Sequence, residues 1–398
     1  MTSHTGVRRK VGDRRSRATP GLVDFVEDLA ATGERRYVPV PPGGDQPASI
    51  SGFQSGVPFF APLEPLSGSD DRSLVSSDDF LAPHLSASWT WTASPRTLCE
   101  VEIVDAHQHF INLTDLVYPW IESRQPALAA LLPNYYDAAH QYLPQDYWAQ
   151  VNPMPITASV ACEFGAGDGV AEAMWVHQCA DRFGVPNAFI AAVQLDSDGL
   201  PSVLARYRDL PTVRAVRQPL YWAADPIKRL GARGDYLSDP AWLRGFEQVA
   251  DAGLVWDLLV YDEQLSATHN LITSFPDTTF VLEALGWPLD LSTEGFSRWE
   301  ERLSAVSEFP NVVLKLQGIA LIFGTAPEAI GRWIRMALSI FGARRCMFAT
   351  HYPVDHLLWD SQTMVSTIQA TLGELSSKEQ AEFFGETARR VYRLPASS

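Results

Sequence analysis

Eight short apolar runs alternate with amphipathic stretches, and this rhythm limits the folds open to the chain more than any other feature. Apolar strands that alternate with helices predict a parallel sheet with helical crossovers. Eight such units within residues 98–398 favour a closed (β/α)8 barrel of the TIM type over an open doubly wound sheet. The predicted strands are Val101–Val104, Ala158–Cys162, Phe189–Leu195, Val213–Val216, Leu254–Val260, Thr279–Leu282, Val312–Leu316 and Arg345–Ala349. The predicted helices are Val170–Arg182, Pro240–Ala252, Gln264–Ser274, Phe296–Val306 and Ala326–Ser339.

Residues 1–97 differ in composition from the rest and predict an irregular N-terminal extension. A basic arm opens this region, and residues 22–29 have the apolar spacing of one short helix. Residues 37–88 are rich in Pro, Gly, Ser and Asp, which is typical of loops. The extension also carries the aromatic residues Phe53, Phe59, Phe60, Phe80 and Trp89. Rings in an irregular segment indicate that it lies along a folded body.

Composition and charge exclude several classes of function. The chain has 31 basic and 47 acidic residues, a net charge of −16, which disfavours binding to nucleic acid or to anionic membranes. No apolar run reaches the length of a membrane span, and no nucleotide-binding glycine motif follows the first strand. Cys99, Cys162, Cys179 and Cys346 have no C-x-x-C spacing and are expected to be buried, reduced thiols. We therefore expect a cytoplasmic protein that acts on a small molecule. The sequence does not decide whether it forms a homodimer.

A His-x-His pair follows the first predicted strand. His107 and His109 are two residues apart, so their imidazoles point to the same side of an extended chain. Two imidazoles at the end of a strand can hold a divalent metal or polarise a carbonyl group. Alternate histidines also occur on solvated strand faces, so a functional interpretation of the pair depends on the residues around it.

Polar residues follow most of the other predicted strands. In a barrel of this type the chemistry lies at the C-terminal ends of the strands, so these residues are expected to share one mouth. Two of them, Asp257 and Lys315, have a second interpretation as a structural ion pair inside the barrel. In chain order they are Glu163, Gln194, Asp196, Arg217, Gln218, Tyr221, Trp222, Asp257, Tyr261, Asp262, Glu283, Ala284, Trp287, Lys315, Gln317, Thr350, His351 and Asp355.

Several ordered motifs point to a known family. They are VDAHQHF at 104–110, YPWI at 118–121, VRAVRQ at 213–218, LGWP at 285–288, FPNVVLKLQG at 309–318, FGARRCMF at 341–348 leading into PVD at 353–355, and FFGETARRVY at 383–392. With these motifs, residues 98–398 resemble the amidohydrolase superfamily, in its branch of sugar-lactone and pyrone-dicarboxylate lactonases. Residues 1–97 have no counterpart in that family.

The resemblance implies a distorted (β/α)8 barrel that hydrolyses lactones with few or no metal ions. It also implies that the strand-one histidines polarise the carbonyl and that an aspartate after strand eight takes the proton from water. The chain departs from this pattern at two places. Ala284 stands where relatives typically carry a histidine, and Thr350-His351-Tyr352-Pro353 stands where they carry Ser-Asp or Ser-Asn before an aromatic residue and proline.

His351 leaves three chemical roles open. A neutral imidazole, with an unperturbed pKa of about 6.5, can act as a general base. It can also be a third nitrogen ligand, which gives a His107–His109–His351 site for zinc or manganese. As an imidazolium it could bind a carboxylate or an enolate beside Arg217, which suits a lyase reaction.

The sequence therefore predicts a hydrolase of a lactone or of a related carboxylate-bearing carbonyl compound. The alternatives are a lyase, either a decarboxylase or a dehydratase, and a noncatalytic binding subunit. The predicted catalytic residues are His107, His109, Arg217 and His351, within about 10 Å of one another. The predicted substrate-binding residues are Glu163, Gln218, Trp222, Asp257, Trp287, Lys315 and Tyr352.

We predict that the extension packs on the barrel or on a neighbouring subunit through Phe53, Phe59, Phe60 and Trp89, because its rings are too apolar for a free tail. Proteolytic removal of residues 1–97 should lower solubility, thermal stability or activity. Unchanged values of all three would contradict this prediction.

Overall fold

The computed structural model describes residues 102–152, 154–372 and 375–395. Within these residues, eight parallel strands follow one another in chain order around a nearly closed barrel, from the β1–β2 pair to the β7–β8 pair. The strands are β1 (Ile103–Gln108), β2 (Ile156–Cys162), β3 (Ala188–Ala192), β4 (Val213–Pro219), β5 (Val255–Leu259), β6 (Phe280–Leu282), β7 (Val312–Leu316) and β8 (Cys346–Phe348). The predicted (β/α)8 barrel is confirmed, with shifted strand boundaries. The predicted extension at residues 1–97 lies outside the described residues.

Helices fill the connections between the strands. Each of the five predicted helices has a counterpart, and α10 shows why they form, since Ile330, Ile334 and Ala337 repeat at helical spacing and are buried. The described helices are α1 (Pro119–Ser123), α2 (Pro126–Leu131), α3 (Pro144–Val151), α4 (Gly169–Phe183), α5 (Leu200–Arg208), α6 (Pro240–Asp251), α7 (Leu265–Ser274), α8 (Thr293–Ser307), α9 (Ile319–Phe323), α10 (Pro327–Phe341), α11 (Ser361–Thr371), α12 (Ser377–Ala381) and α13 (Thr387–Tyr392).

Apolar side chains form two buried layers around the sheet. The larger layer joins the sheet to the surrounding helices. The smaller layer includes alternate strand residues such as Val104, Ala106, Val281 and Val313, together with Tyr392 of α13. The period-two alternation of each strand divides the side chains between the layers.

The path of β1 is irregular where it approaches the barrel mouth. Its register with β2 shifts between Asp105 and Gln108. Val104 and Ala106 belong to the smaller layer, on the inner side of the sheet. Strict alternation from them would turn His107 outwards, towards the helices. His107 instead lies against Lys315, on the inner side of the sheet. The irregularity thus turns the histidine pair inwards, as bulges near active sites do.

Asp105 connects the first strand to the segment that follows the last strand. Its carboxylate accepts hydrogen bonds from the Thr350 backbone N–H (2.8 Å), the Thr350 hydroxyl (2.6 Å) and the Tyr147 hydroxyl (2.9 Å). Two backbone bonds run beside it, from the His351 N–H to the His107 carbonyl and from the His109 N–H to the Tyr352 carbonyl, each at 2.8 Å. We call this set of bonds the seam, and it places His351 beside the histidine pair.

Two sequence predictions about the whole chain can be compared with the described residues. Cys162, Cys179 and Cys346 are buried and unpaired, as predicted, whereas Cys99 lies outside the described part. None of the helices in the described ranges is both long enough and apolar enough to cross a membrane.

We expect the substitution Asp105→Ala to lower the free energy of unfolding by about 3–5 kcal/mol at pH 5, because it leaves several buried donors without a partner. Burial raises the pKa of Asp105 to about 6, above its unfolded value. The stabilisation is therefore greatest at low pH and declines as the pH rises through 6, so the loss should be smaller at pH 8.

Chemical denaturation of both proteins at pH 5 and pH 8 measures this difference. Exposed Asp209, which follows α5, provides the control, and Asp209→Ala should change stability by less than about 0.5 kcal/mol. Equal losses for the two variants would show that the seam does not stabilise the barrel.

Candidate active site

His107, at the end of β1, and His109, just after it, stand side by side at the mouth of the barrel. Their Nε2 atoms are 3.2 Å apart, and both side chains are buried. The Nδ1 of His109 lies 3.0 Å from the carbonyl oxygen of Cys162. Because a carbonyl only accepts, His109 carries its proton on Nδ1, and the lone pair of Nε2 faces His107.

Both histidines are electrically neutral near pH 7. Burial lowers the pKa of His107 well below its usual range, and the positive charge of Lys315 lowers it further. Burial likewise lowers the pKa of His109. Neutral imidazoles keep the lone pairs that a metal ion requires.

His351 joins the pair from the other side of the seam. Its ring centroid lies 5.4 Å from that of His107 and 5.5 Å from that of His109. The residue has φ of +58°, in the left-handed region that non-glycine residues seldom adopt. Such backbone strain persists only where surrounding contacts enforce it, and here the seam provides them.

Asp355 fixes the orientation of the His351 ring. The Nδ1 atom of His351 lies 3.1 Å from the Asp355 carboxylate. The backbone N–H of Ala320 donates to the same carboxylate at 3.2 Å, and Asp355 is buried. The proton of a neutral His351 therefore lies on Nδ1, and its Nε2 carries a lone pair at the one histidine of the three that is appreciably exposed.

Arg217 is held by two glutamates at the floor of the site. Its Nε donates to the Glu163 carboxylate at 2.5 Å, its Nη1 donates to Glu283 at 2.9 Å, and its Nη2 donates to the Glu163 carbonyl at 3.0 Å. Gln317 also donates to Glu283, at 2.8 Å. Three of the five N–H groups of the guanidinium thus donate to the protein's own acceptors.

The two glutamates differ in their electrostatics. Burial raises the pKa of Glu163. Burial would also raise the pKa of Glu283, but the charges of Arg217 and Lys315 hold it below its usual range. One oxygen of Glu283 is buried with no hydrogen-bond partner within the described residues, 3.6 Å from both the His107 Nδ1 and the Lys315 Nζ.

An ion pair between Lys315 and Asp257 lies beneath the histidines. Both side chains are fully buried, and the Tyr392 hydroxyl donates to Asp257 at 2.9 Å. Burial raises the pKa of Asp257 to about 7, in opposition to the neighbouring ammonium. The Lys315 Nζ lies 3.5 Å from the His107 Nδ1, so the pair supports the histidine ring from below.

A cavity of about 690 Å³, its open mouth included, lies above these groups. Much of its wall comes from segments that follow the strands, whereas the polar groups come from the strand ends themselves. A left-handed turn after β6, with φ of +54° at Ala284, brings Glu283 and Trp287 to it. The cavity is lined by His109, Trp120, Leu128, Leu131, Tyr135, Phe164, Arg217, Pro219, Tyr221, Leu230, Leu259, Glu283, Ala284, Trp287, Gln317, Gly318, Leu321, Ile322 and His351.

The structure brings most of the predicted site residues together. His109, Arg217, Trp287 and His351 border the cavity. His107 and Glu163 lie behind them and contact His109 and Arg217, respectively. Asp257 and Lys315 lie deeper, where they form an ion pair. This agrees with the second interpretation of these two residues in the sequence analysis.

Besides Glu163, Asp257 and Lys315, three more predicted substrate-binding residues do not border the cavity. Gln218 accepts hydrogen bonds from the Leu195 N–H and the Trp242 indole, on the side that faces the helices. The ring of Trp222 packs under the guanidinium of Arg229, 4.4 Å from the ring centroid. Tyr352 is fully buried. Gln218 lies within β4, and Trp222 and Tyr352 follow β4 and β8, but none of the three side chains lines the mouth.

The sequence interpretation missed the residues that form one wall of the cavity. Trp120, Leu128, Leu131 and Tyr135 come from α1, α2 and the 3-10 turn after them, all between β1 and β2. The available signal was the long, aromatic-rich interval between the first two strands. Because an insertion after a strand lies at the C-terminal face, it was placed to cover the mouth.

The donor set of the site fits a divalent metal. Nitrogen atoms of His107, His109 and His351 lie within 4.8 Å of one another. A tetrahedral shell with zinc–nitrogen bonds of about 2.0 Å separates its nitrogens by about 3.3 Å, close to the observed His107–His109 spacing. A second donor set combines His107 with Cys162 and Glu283. Burial raises the pKa of the Cys162 thiol, which makes that set the weaker one.

Comparisons with known proteins agree with the fold. The Amidohydrolase family profile matches residues 104–394. An L-fucono-1,5-lactonase of Burkholderia multivorans is 26% identical over 308 residues, which cover 73% of this chain and 96% of that protein. The uncharacterized protein y4mH of Sinorhizobium fredii is 24% identical over 300 residues, 75% of this chain and 100% of that protein. A crystal structure of an amidohydrolase from Burkholderia multivorans with bound zinc is 25% identical, with a TM-score of 0.61, and the match covers 74% of this chain and 100% of that one. The resemblance drawn from the motifs is thereby confirmed, and the chain belongs to the amidohydrolase family.

Proposed function

We propose that this chain is a hydrolase that opens a small cyclic ester, a lactone, in the cavity at the barrel mouth. The observation that carries the proposal is the His351–Asp355 pair, which offers a ring nitrogen to a water molecule at the edge of the cavity. The rings of His107 and His109 stand next to it, where the ester carbonyl would lie. The relative named L-fucono-1,5-lactonase supports this reaction class.

His351 is assigned the role of general base. Its Nε2 lone pair takes a proton from water while the water oxygen attacks the carbonyl carbon of the lactone. Asp355 stabilises the imidazolium that results. When the tetrahedral intermediate collapses, the ring carbon–oxygen bond breaks and the leaving oxygen takes the proton back from Nε2. The product is a hydroxy acid, one water heavier than the lactone.

His107 and His109 are the residues that would hold a divalent cation, zinc or manganese. When bound, the cation supplies a Lewis acid for the carbonyl oxygen. The structure of the Burkholderia multivorans amidohydrolase with bound zinc supports the binding of a metal. His351 cannot be both a third ligand and the base, because Asp355 occupies its Nδ1 and only the Nε2 lone pair remains.

The other polar residues are assigned supporting roles. Glu163 and Glu283 hold Arg217 as a rigid floor, and the Asp257–Lys315 pair positions His107. The contacts of Gln218, Trp222 and Tyr352 lie elsewhere in the barrel, so they no longer enter the proposed substrate site.

The reaction class is tested directly with a panel of six-membered lactones. We expect the purified chain to release acid at a saturable rate above the spontaneous rate, followed by titration at constant pH. Release of carbon dioxide or of water from a keto acid, without lactone opening, would favour the alternative of a lyase. Ligand binding with no turnover of any kind would favour a noncatalytic binding subunit.

The role of His351 predicts a separation between turnover and metal content. The substitution His351→Ala should lower kcat by about a hundredfold or more, the usual contribution of a positioned base. The zinc bound per chain should stay at the wild-type value, because His107 and His109 remain. His351→Asp should restore part of the activity, because a carboxylate can also accept the proton. Loss of zinc together with activity would identify His351 as a ligand, and a higher KM at unchanged kcat would remove it from the chemistry.

The same prediction extends to Asp355, which acts through His351. Asp355→Asn should lower kcat and move the acid limb of the pH–rate profile towards lower pH, because the variant lacks the negative charge beside the imidazolium. Exposed Asp360, five residues later, caps α11 through the Thr363 N–H and gives a matched control. Asp360→Asn should leave the profile unchanged. Identical profiles for the two variants would contradict the proposed dyad.

A further inference from the structure

The cavity offers a substrate far more apolar surface than polar surface. Its floor is polar, but its sides include Leu128, Leu131, Tyr135, Trp287 and Ile322, which we call the apolar wall. Leu131 and Ile322 are half-buried, so they present side-chain surface to the cavity rather than to the core alone. A wall of this kind favours a ligand with an apolar body, because the transfer of apolar surface from water to the wall is favourable.

The polar groups of the floor are largely engaged with one another. Arg217 donates to Glu163 and Glu283, and Gln317 donates to Glu283 while it accepts from the Ala284 N–H at 2.9 Å. A ligand with several hydroxyl groups needs a partner for each one that it removes from water. Three of the five N–H groups of Arg217 and both polar groups of Gln317 already have partners, so the floor provides fewer donors and acceptors than its residues carry.

The positive charges near the cavity are also committed. Arg217 lies between two glutamates, and Lys315 is paired with Asp257 beneath the histidines. Glu283 borders the cavity and has an oxygen with no hydrogen-bond partner among the described residues. A carboxylate on the substrate would lie near the negative charge of this buried glutamate, and both nearby cationic side chains are already paired with carboxylates.

We propose that the substrate is a neutral lactone that carries an alkyl or aryl substituent, in place of the hydroxyl groups of a sugar lactone or the carboxylates of a pyrone dicarboxylate. The inference rests on the proposed hydrolysis and names the substrate class of the same site. The wall receives the substituent, and the ester group lies on the floor near His351. Tyr135 and Tyr221 add two aromatic rings to the lining of the cavity.

Three lactones test this assignment on the intact chain. They are dihydrocoumarin, which is neutral and aromatic, a sugar 1,5-lactone, and 2-pyrone-4,6-dicarboxylate. We expect kcat/KM for dihydrocoumarin to exceed the values for both others by at least about tenfold. An equal or higher value for the sugar lactone or for the dicarboxylate would overturn the inference and leave hydrolysis intact.

Variants of the wall sharpen the test. Leu131→Asn keeps the size of the side chain and adds polarity, and it should lower kcat/KM for dihydrocoumarin by about tenfold without lowering the value for the sugar lactone. Leu291→Asn, at an exposed leucine that does not line the cavity, is the matched control and should change neither value. Ile322→Thr is a second wall variant if Leu131→Asn does not fold. Equal effects on both lactones would contradict the role of the wall.

Binding separates this inference from the proposed reaction. The lactam analogues of dihydrocoumarin and of the sugar lactone resist hydrolysis, so calorimetry reports their affinity whether or not the chain hydrolyses esters. If the aryl lactam binds more tightly than the sugar lactam but no lactone is hydrolysed, the proposed hydrolysis is overturned and the proposed ligand class is retained. Equal binding of the two lactams, tighter binding of the sugar lactam, or no binding of either would overturn the substrate class.

Discussion

The bonds between Asp105 and Thr350 hold together the part of the barrel on which the site depends. Backbone bonds between His107 and His351, and between His109 and Tyr352, continue the same seam. Strand pairing in the described sheet runs from β1 to β8 in chain order, so this seam joins the two ends of the sheet. Because the seam holds the first strand and the last together, His351 shares one mouth with His107 and His109, although it is far from them in sequence.

Charge is arranged around His107 and His109 so that both stay neutral and fixed. Burial and the nearby Lys315 ammonium lower the pKa of His107, and burial lowers that of His109. Arg217 and Lys315 are each paired with carboxylates, so the cationic side chains shape the floor. The result is a site with nitrogen lone pairs, a His351 ring oriented by Asp355 and an apolar wall. Such a site suits the addition of water to a neutral carbonyl group.

Much of this arrangement could be predicted from the sequence, because alternating apolar runs specify the barrel and a barrel specifies where its chemistry lies. The side of the sheet to which each individual side chain points could not be predicted. Strict alternation in β1 would have turned His107 outwards, and only the shifted register brings it inwards. Gln218 follows the inward-facing Arg217 and therefore points to the helices. Arg217 was predicted to be a catalytic residue. Its ion pairs with two glutamates join strands that are distant in sequence, so these ion pairs could not be predicted.

The central claim is that a neutral His351 is held by Asp355 with its Nε2 lone pair directed at the substrate. The most direct measurement is the ¹⁵N NMR spectrum of the histidine rings at neutral pH, with the His351 signals assigned by their loss in His351→Gln. The account predicts a proton on Nδ1 and an unprotonated Nε2, both in the metal-free protein and after zinc is added. A proton on Nε2, or an Nε2 signal shifted by direct zinc coordination, would contradict it.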